Sequence, residues 1–157
     1  MADESWRGKI GGLEREEFDA FLAEGKIARL ACNDRAGWPY VVPCWHFWDG
    51  DAFWVIPRKK SAWAEYLANE PRCAITIDEE GALRKVIAQC EAEVIEEPNV
   101  GGAWVSIAEE MSIRYLGPNG PEYLAPTLDK QRWLFKLNPV KLWTWQGVEW
   151  AKSYKDD

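Results

Sequence analysis

Arg58, Lys59 and Lys60 are consecutive; they follow the apolar run "AFWVIP", and Ser61 directly after them opens a segment with helical spacing. Three adjacent like charges repel, so the cluster is either a solvated turn or a place where a ligand supplies negative charge. A strand that runs straight into a Ser-capped helix start can aim side-chain cations and free backbone amides at one point, and that combination suits a phosphate. Charge-assisted bonds from Arg or Lys are about twice as strong as neutral ones, so a local cluster can hold a phosphomonoester in a chain that is acidic elsewhere. Neither G-x-x-x-x-G-K-[ST] nor G-x-G-x-x-G occurs, which disfavours the nucleotide folds built on parallel sheets.

The remaining reactive residues narrow the chemistry. His46 is the one histidine, which excludes multi-histidine metal sites and leaves any Ser-His-Asp triad dependent on an imidazole set among Trp45, Phe47 and Trp48. Two readings of it stay open, a neutral side chain packed on a wall and a catalytic group. Cys32, Cys44, Cys73 and Cys90 never form C-x-x-C and stand in strand-like surroundings, so they read as buried reduced thiols, and no metal site is expected. Tyr115 and Tyr123 flank a loop placed to cover a substrate, and either can donate a hydrogen bond. The 11 tryptophans are side chains for cores and interfaces, some of them able to stack on a flat ligand.

Size and charge bound the rest. The 157 residues suit one domain, here 1–157 with loose tails at 1–12 and 152–157. With 19 basic against 26 acidic residues the net charge is −7, so neither nucleic acid nor an anionic membrane is an expected partner. "MADESWRGKIGG" lacks an apolar leader and no stretch approaches the roughly 18 apolar residues of a membrane span, which predicts a cytoplasmic protein.

The elements that must position these residues follow from periodicity. "LEREEFDAFLAEG" predicts a short helix with Leu13, Phe18 and Leu22 on one face and Gly25 at its end. "KIARLACND", "WPYVVPCWHFW" and "AFWVIP", joined by "RAG" and "DGD", predict three antiparallel strands. After the basic joint, "SAWAEYLANEPR" predicts a helix capped by Ser61 and stopped by Pro71, then "CAITID" and the long "KVIAQCEAEVIEE" return to strand. "NVGGAWVSIAEEMSIRYLG" predicts a helix ending at Gly117, "PNGPEYLAP" a loop, and "RWLFKLNP" and "KLWTWQG" two last strands separated by an Asn-Pro turn. The fold class predicted is mainly β: a barrel of six to seven antiparallel strands with lateral helices.

In order and spacing, "GKIARLACNDRAGWPYVVPCWHFWDGDAFWVIPRKKSAWAEYLANEPRCAITID", "RKVIAQCEAEVIEEP", "RYLGPNGPEYL" and "KLNPVKLWTWQG" resemble the pyridoxamine 5′-phosphate oxidase-like split β-barrels, which bind FMN or the deazaflavin coenzyme F420. The resemblance implies that Ile56, Pro57, Arg58, Lys59, Lys60 and Ser61 form the phosphate-binding joint, with Lys60 at the family's most regular lysine. It implies that Val42, Pro43, Cys44 and Trp45 lie along the flavin ring with backbone groups at its polar edge. Lys85 stands where the oxidases carry a glutamine that contacts the cofactor, and its competing reading is an exposed cross-strand lysine. Trp145 matches a tryptophan that reaches the flavin from a second subunit, which implies a homodimer, although Trp45 and Trp145 also read as ordinary core or dimer tryptophans.

The oxidases end in an Arg-x-His-Asp-Arg run that grips the substrate phosphate, whereas this chain ends "VEWAKSYKDD". Pyridoxamine phosphate is therefore not the expected substrate. The resemblance implies instead an oxidoreductase that uses FMN, or alternatively F420, to pass hydride to or from a small planar molecule. A flavin-binding carrier or sensor without turnover, and a haem-binding split barrel, are the alternatives.

Overall fold

The computed structural model describes residues 11–147, so most of the predicted tails and the segment "VEWAKSYKDD" lie outside the described residues. Helix α1 (Arg15–Leu22) buries Phe18, Phe21 and Leu22. Gly25 follows it with φ +70, and a Cβ there would stand 2.2 Å from the Arg114 carbonyl oxygen, so the position needs glycine for its backbone angle and for the close passage of another helix.

Strands β1 (Ala28–Asn33), β2 (Pro39–Cys44), β3 (Phe47–Trp48), β4 (Phe53–Val55), β5 (Arg72–Asp78), β6 (Lys85–Asn99) and β7 (Arg132–Trp145) form one antiparallel sheet in the order β2-β1-β5-β6-β7-β4-β3. Helix α2 (Ala62–Asn69) joins β4 to β5, and α3 (Trp104–Leu116) with the short α4 (Gly120–Leu124) joins β6 to β7. This is the mainly β split barrel with lateral helices that the sequence predicts.

Alternating residues of the strands turn inward: Leu30, Phe53, Val55, Ile75, Ile77, Val86, Phe135 and Leu137 are each at most 1% exposed and pack with Phe21 and Leu22 of α1. Burying a side chain of this size contributes about 1.5–3 kcal/mol, which makes this cluster the principal source of stability. A second cluster, Trp104, Ala108, Leu124 and Leu134, seats α3 and α4 on the start of β7.

Three local expectations are corrected. "WPYVVPCWHFW" is two strands, because Trp45 and His46 leave the ladder between β2 and β3 and the His46 amide donates to the Tyr115 hydroxyl at 3.1 Å. The predicted Asn-Pro turn is absent: β7 runs through Asn138 and Pro139 as one strand, and Val140 is bulged between the pairs Cys90↔Pro139 and Gln89↔Lys141. A bulge accommodates a proline that cannot donate to the ladder. The predicted loop "PNGPEYLAP" is largely helical, as a 3-10 turn (Gly117–Asn119), α4 and a second 3-10 turn (Ala125–Thr127). Gly120 is required there, since a Cβ would meet the Ser112 backbone at 2.4 Å.

Candidate functional site

The end of β2, the basic joint, α3, α4 and the start of β7 enclose a cavity of about 370 Å³. Pro43, Cys44 and Trp45 supply one wall, Ile56, Pro57, Arg58, Ser61 and Trp63 the joint, and Ala108, Met111, Tyr123, Leu124, Thr127 and Arg132 the opposite side. Seven of the residues expected at a cofactor are thus brought to one place: Pro43, Cys44, Trp45, Ile56, Pro57, Arg58 and Ser61. Val42 packs on the main core beside them.

The wall formed by β2 is the edge of the sheet, paired to β1 alone, so its other row of backbone amides and carbonyls has no ladder partner. Pro39 and Pro43 carry no N–H, so the row offers the polar rim of a flat ligand carbonyl acceptors there and donors only from the other residues. Burial pushes the Cys44 thiol up to about 12, which leaves it protonated and unreactive at neutral pH. Trp45 is held flat against Tyr115. Tyr115 itself donates to the Lys26 carbonyl at 2.7 Å and accepts from the His46 amide, and burial raises its hydroxyl well above the ordinary tyrosine range. Of the two tyrosines flanking the predicted covering loop, Tyr115 is therefore committed to the backbone, whereas Tyr123 lines the cavity and is 65% exposed.

At the joint, the Ser61 side chain makes no capping bond; the Ala64 amide takes the Ser61 carbonyl instead, at 3.0 Å. The expected hydroxyl cap is thus replaced by a backbone turn, and Ser61 lines the cavity without a side-chain hydrogen bond. Arg58 bridges across to Arg132, while Lys59 and Lys60 are exposed beside the cavity without lining it. None of the three consecutive cations has an ion-pair partner among the described residues.

Arg132 is the cavity residue that sequence reasoning missed. Its guanidinium donates to Thr127 Oγ1 at 3.1 Å, reaches the Ile56 carbonyl at 3.5 Å and lies 5.5 Å from the Trp104 ring centre, and its buried Nε has no acceptor. An arginine at a strand start reads in sequence as solvated, and only the bridge to Arg58 would have flagged it. Lys85 and Trp145 are not brought to the cavity: they are cross-strand neighbours of each other on β6 and β7. Arg84, beside Lys85, is committed to Glu79 and Glu24 and stacks over Phe21.

His46 is 1% exposed, does not line the cavity, and leaves both ring nitrogens without a hydrogen-bond partner. Burial, reinforced by the Arg114 charge, pushes it down to about 4, so it is neutral at physiological pH. The wall-packing reading of this histidine holds. All four cysteines are free thiols; Cys32, Cys73 and Cys90 are buried, with Cys73 and Cys90 opposite each other on β5 and β6.

The chain matches the family model described as pyridoxamine 5′-phosphate oxidase over residues 15–146 and belongs to that family. Among solved structures it resembles a conserved hypothetical protein from Mycobacterium tuberculosis, at 20% identity and a TM-score of 0.70 over 89% of this chain and 88% of that one. It also resembles a protein named an F420 reductase, at 20% identity and a TM-score of 0.62 over 79% and 94%. A third is HutZ, named as a haem storage protein of Vibrio cholerae, at 19% identity and a TM-score of 0.64 over 83% and 93%. At these identities the likeness shows the fold. No curated protein matches the chain. No helix among the described residues is long and apolar enough to cross a membrane.

Proposed function

We propose that this chain is a cytoplasmic oxidoreductase that binds a phosphorylated flavin, FMN ahead of the deazaflavin F420, and exchanges hydride with a small planar substrate. The observation that carries the reading is one cavity that gathers cations and flat aromatic rings. Arg58, Arg132 and Ser61 line it together with Trp45, Trp63 and Tyr123, and the end of the edge strand β2 forms one wall. That donor set fits a phosphorylated tricyclic ring: charge-assisted bonds for the phosphate, backbone groups for the ring's polar rim, and apolar contact for its face. A bound flavin or deazaflavin supplies the hydride chemistry itself, so the protein has to bind, orient and exclude water. Cys44 and His46, protonated and neutral respectively, are compatible with that passive role.

The fold family also includes proteins named for haem, and here the arrangement favours the flavin. The one histidine of the chain is buried outside the cavity, so it is not presented as an axial ligand.

The ends of β6 and β7 support a homodimer. Ile87 and Trp143 are cross-strand partners exposed at 43% and 49% on one face of the sheet, with Lys85 and Trp145 the next pair on that face. An exposed apolar pair of this kind is what a second copy would cover. Lys85 and Trp145 would then be available to the partner's cavity.

Titrating FMN, riboflavin and F420 into the purified chain and recording absorbance and tryptophan quenching tests the binding. The expected order is FMN first, F420 next and riboflavin last; no spectral change with any of the three rejects the reading.

A further inference from the structure

We propose that Arg58 and Arg132 form a two-arginine clamp that takes one oxyanion group, a phosphate or a carboxylate, inside the cavity. Their backbones face each other across an antiparallel bridge between the joint and β7, and both side chains line the same cavity. Among the described residues neither has a carboxylate within ion-pair reach, and Arg58 makes no side-chain hydrogen bond.

Four of the eight arginines among the described residues have a carboxylate partner: Arg15 with Asp19, Arg29 with Asp78, Arg72 with Glu70, and Arg84 with Glu24 and Glu79. Arg35 and Arg114 also lack one, and donate instead to Asn69 Oδ1 and to the Trp48 carbonyl. Arg58 and Arg132 differ from those two in sharing one bridge and one cavity. Each remains charged, since arginine does not lose its proton in proteins.

The Arg132 fork is also fixed in place. Thr127 Oγ1 and the Ile56 carbonyl hold its two terminal nitrogens, the Trp104 ring lies beside it, and the buried Nε has no acceptor. Burial and the neighbouring Arg58 charge both act to lower its proton affinity, the signature of a cation held where an anion would relieve it. A planar guanidinium offers two parallel donors that match the oxygens of phosphate or carboxylate, which a lysine does not. Lys59 and Lys60 stand outside the lining, so the grip inside the cavity falls to the arginines.

The assignment of the anion rests on the flavin reading above, since the cofactor's own phosphate is one source and an anionic substrate is the other. The clamp itself is testable apart from it, by thermal unfolding in inorganic phosphate against chloride at matched ionic strength, on the chain with and without FMN. Phosphate should raise the unfolding midpoint of the FMN-free chain. If FMN abolishes that rise, the cofactor's phosphate fills the clamp; if the rise persists with FMN bound, the clamp serves a separate anion.

Arg132→Gln should remove the phosphate response, Arg132→Lys should retain only part of it, and Lys130→Gln, which deletes the same charge two residues away, should leave it intact. In parallel, the preference for FMN over riboflavin should fall at least about tenfold in Arg132→Gln, with riboflavin affinity within about twofold of the parent. A phosphate response that vanishes in Arg132→Gln in a chain that binds no flavin keeps the clamp and removes the flavin reading. A wild-type chain that binds FMN yet, when FMN-free, melts identically in phosphate and chloride, or an Arg132→Gln chain that keeps the full phosphate response, overturns the clamp and leaves the flavin reading standing; an Arg132→Gln chain that loses the response but keeps its FMN preference assigns the clamp to the separate anion.

Discussion

Tyr115 lies against Trp45 with ring centroids 4.6 Å apart and planes 8° from parallel, and its hydroxyl is fixed by the backbone of Lys26 and His46. The tyrosine thereby connects α3 to the break between β2 and β3 and sets the orientation of an aromatic cavity wall. Tyr115→Phe keeps the ring but leaves the Lys26 carbonyl and the His46 amide without their partner. The expected cost is about 1–3 kcal/mol of stability, the range for leaving buried polar groups unsatisfied. Urea denaturation measures it; an unchanged midpoint would mean that the hydroxyl's bonds carry no net weight.

His46 gives the stability a pH dependence of defined sign. Its folded value of about 4 lies below the ordinary 6.5, so the unfolded chain binds the proton more readily. Stability is therefore full above about pH 6.5 and is lost as the pH falls from there through 4. The gap corresponds to roughly 3 kcal/mol for complete protonation. His46→Leu removes the titrating group and both unpartnered nitrogens. It should flatten the pH dependence of the urea midpoint in that window and raise stability at pH 5. An equally steep loss in the variant would assign the effect to carboxylates such as Glu79 and Asp49, whose values are also lowered in the fold.

Much of this was legible in the sequence. Alternating apolar residues in "ARLACN" and "RCAITID" become buried faces with strict alternation, and the helix start after the basic joint falls at Ala62. What periodicity could not show was tertiary. Trp45 and His46 sit in an unbroken apolar run, and only the Tyr115 hydroxyl, 69 residues away from His46 in sequence, turns the chain there. Asn138-Pro139 carries a turn signature, but the long β6 opposite it supplies a ladder that a bulge preserves. Arg132 opens the predicted strand "RWLFKLNP", and its meaning depends on Arg58, 74 positions earlier, being its bridge partner.

The basic joint can be divided by substitution. Arg58→Ala should weaken FMN binding by about 1.5–3 kcal/mol, the range for hydrogen bonds to charged groups. Lys60→Ala, exposed at the rim, should act in the same direction and by about 1 kcal/mol, with the larger dependence on salt. Isothermal titration at two ionic strengths distinguishes them. Unchanged affinity in both variants would return the joint to a solvated turn.

Trp143 and Ile87 supply the test of assembly. Trp143→Glu places a charge in the exposed Ile87–Trp143 pair, so light scattering at micromolar concentration should show a dimer for the parent chain and a monomer for the variant. A parent chain that is monomeric and still binds one flavin per chain would mean that the cavity is complete without a partner.

The central claim, an oxidoreductase whose cavity presents a bound flavin to a planar acceptor, is tested most directly by anaerobic stopped-flow reoxidation. The chain loaded with reduced FMN, and in a second series with reduced F420, is mixed with neutral enones and quinones; separately, the chain loaded with oxidised FMN is mixed with pyridoxine 5′-phosphate, which can only donate hydride. The account predicts reoxidation by at least one neutral acceptor faster than for the free reduced cofactor, and no reduction of the oxidised cofactor by the phosphorylated vitamer. Acceptors that all react no faster than with free cofactor would contradict it and leave a flavin carrier in its place.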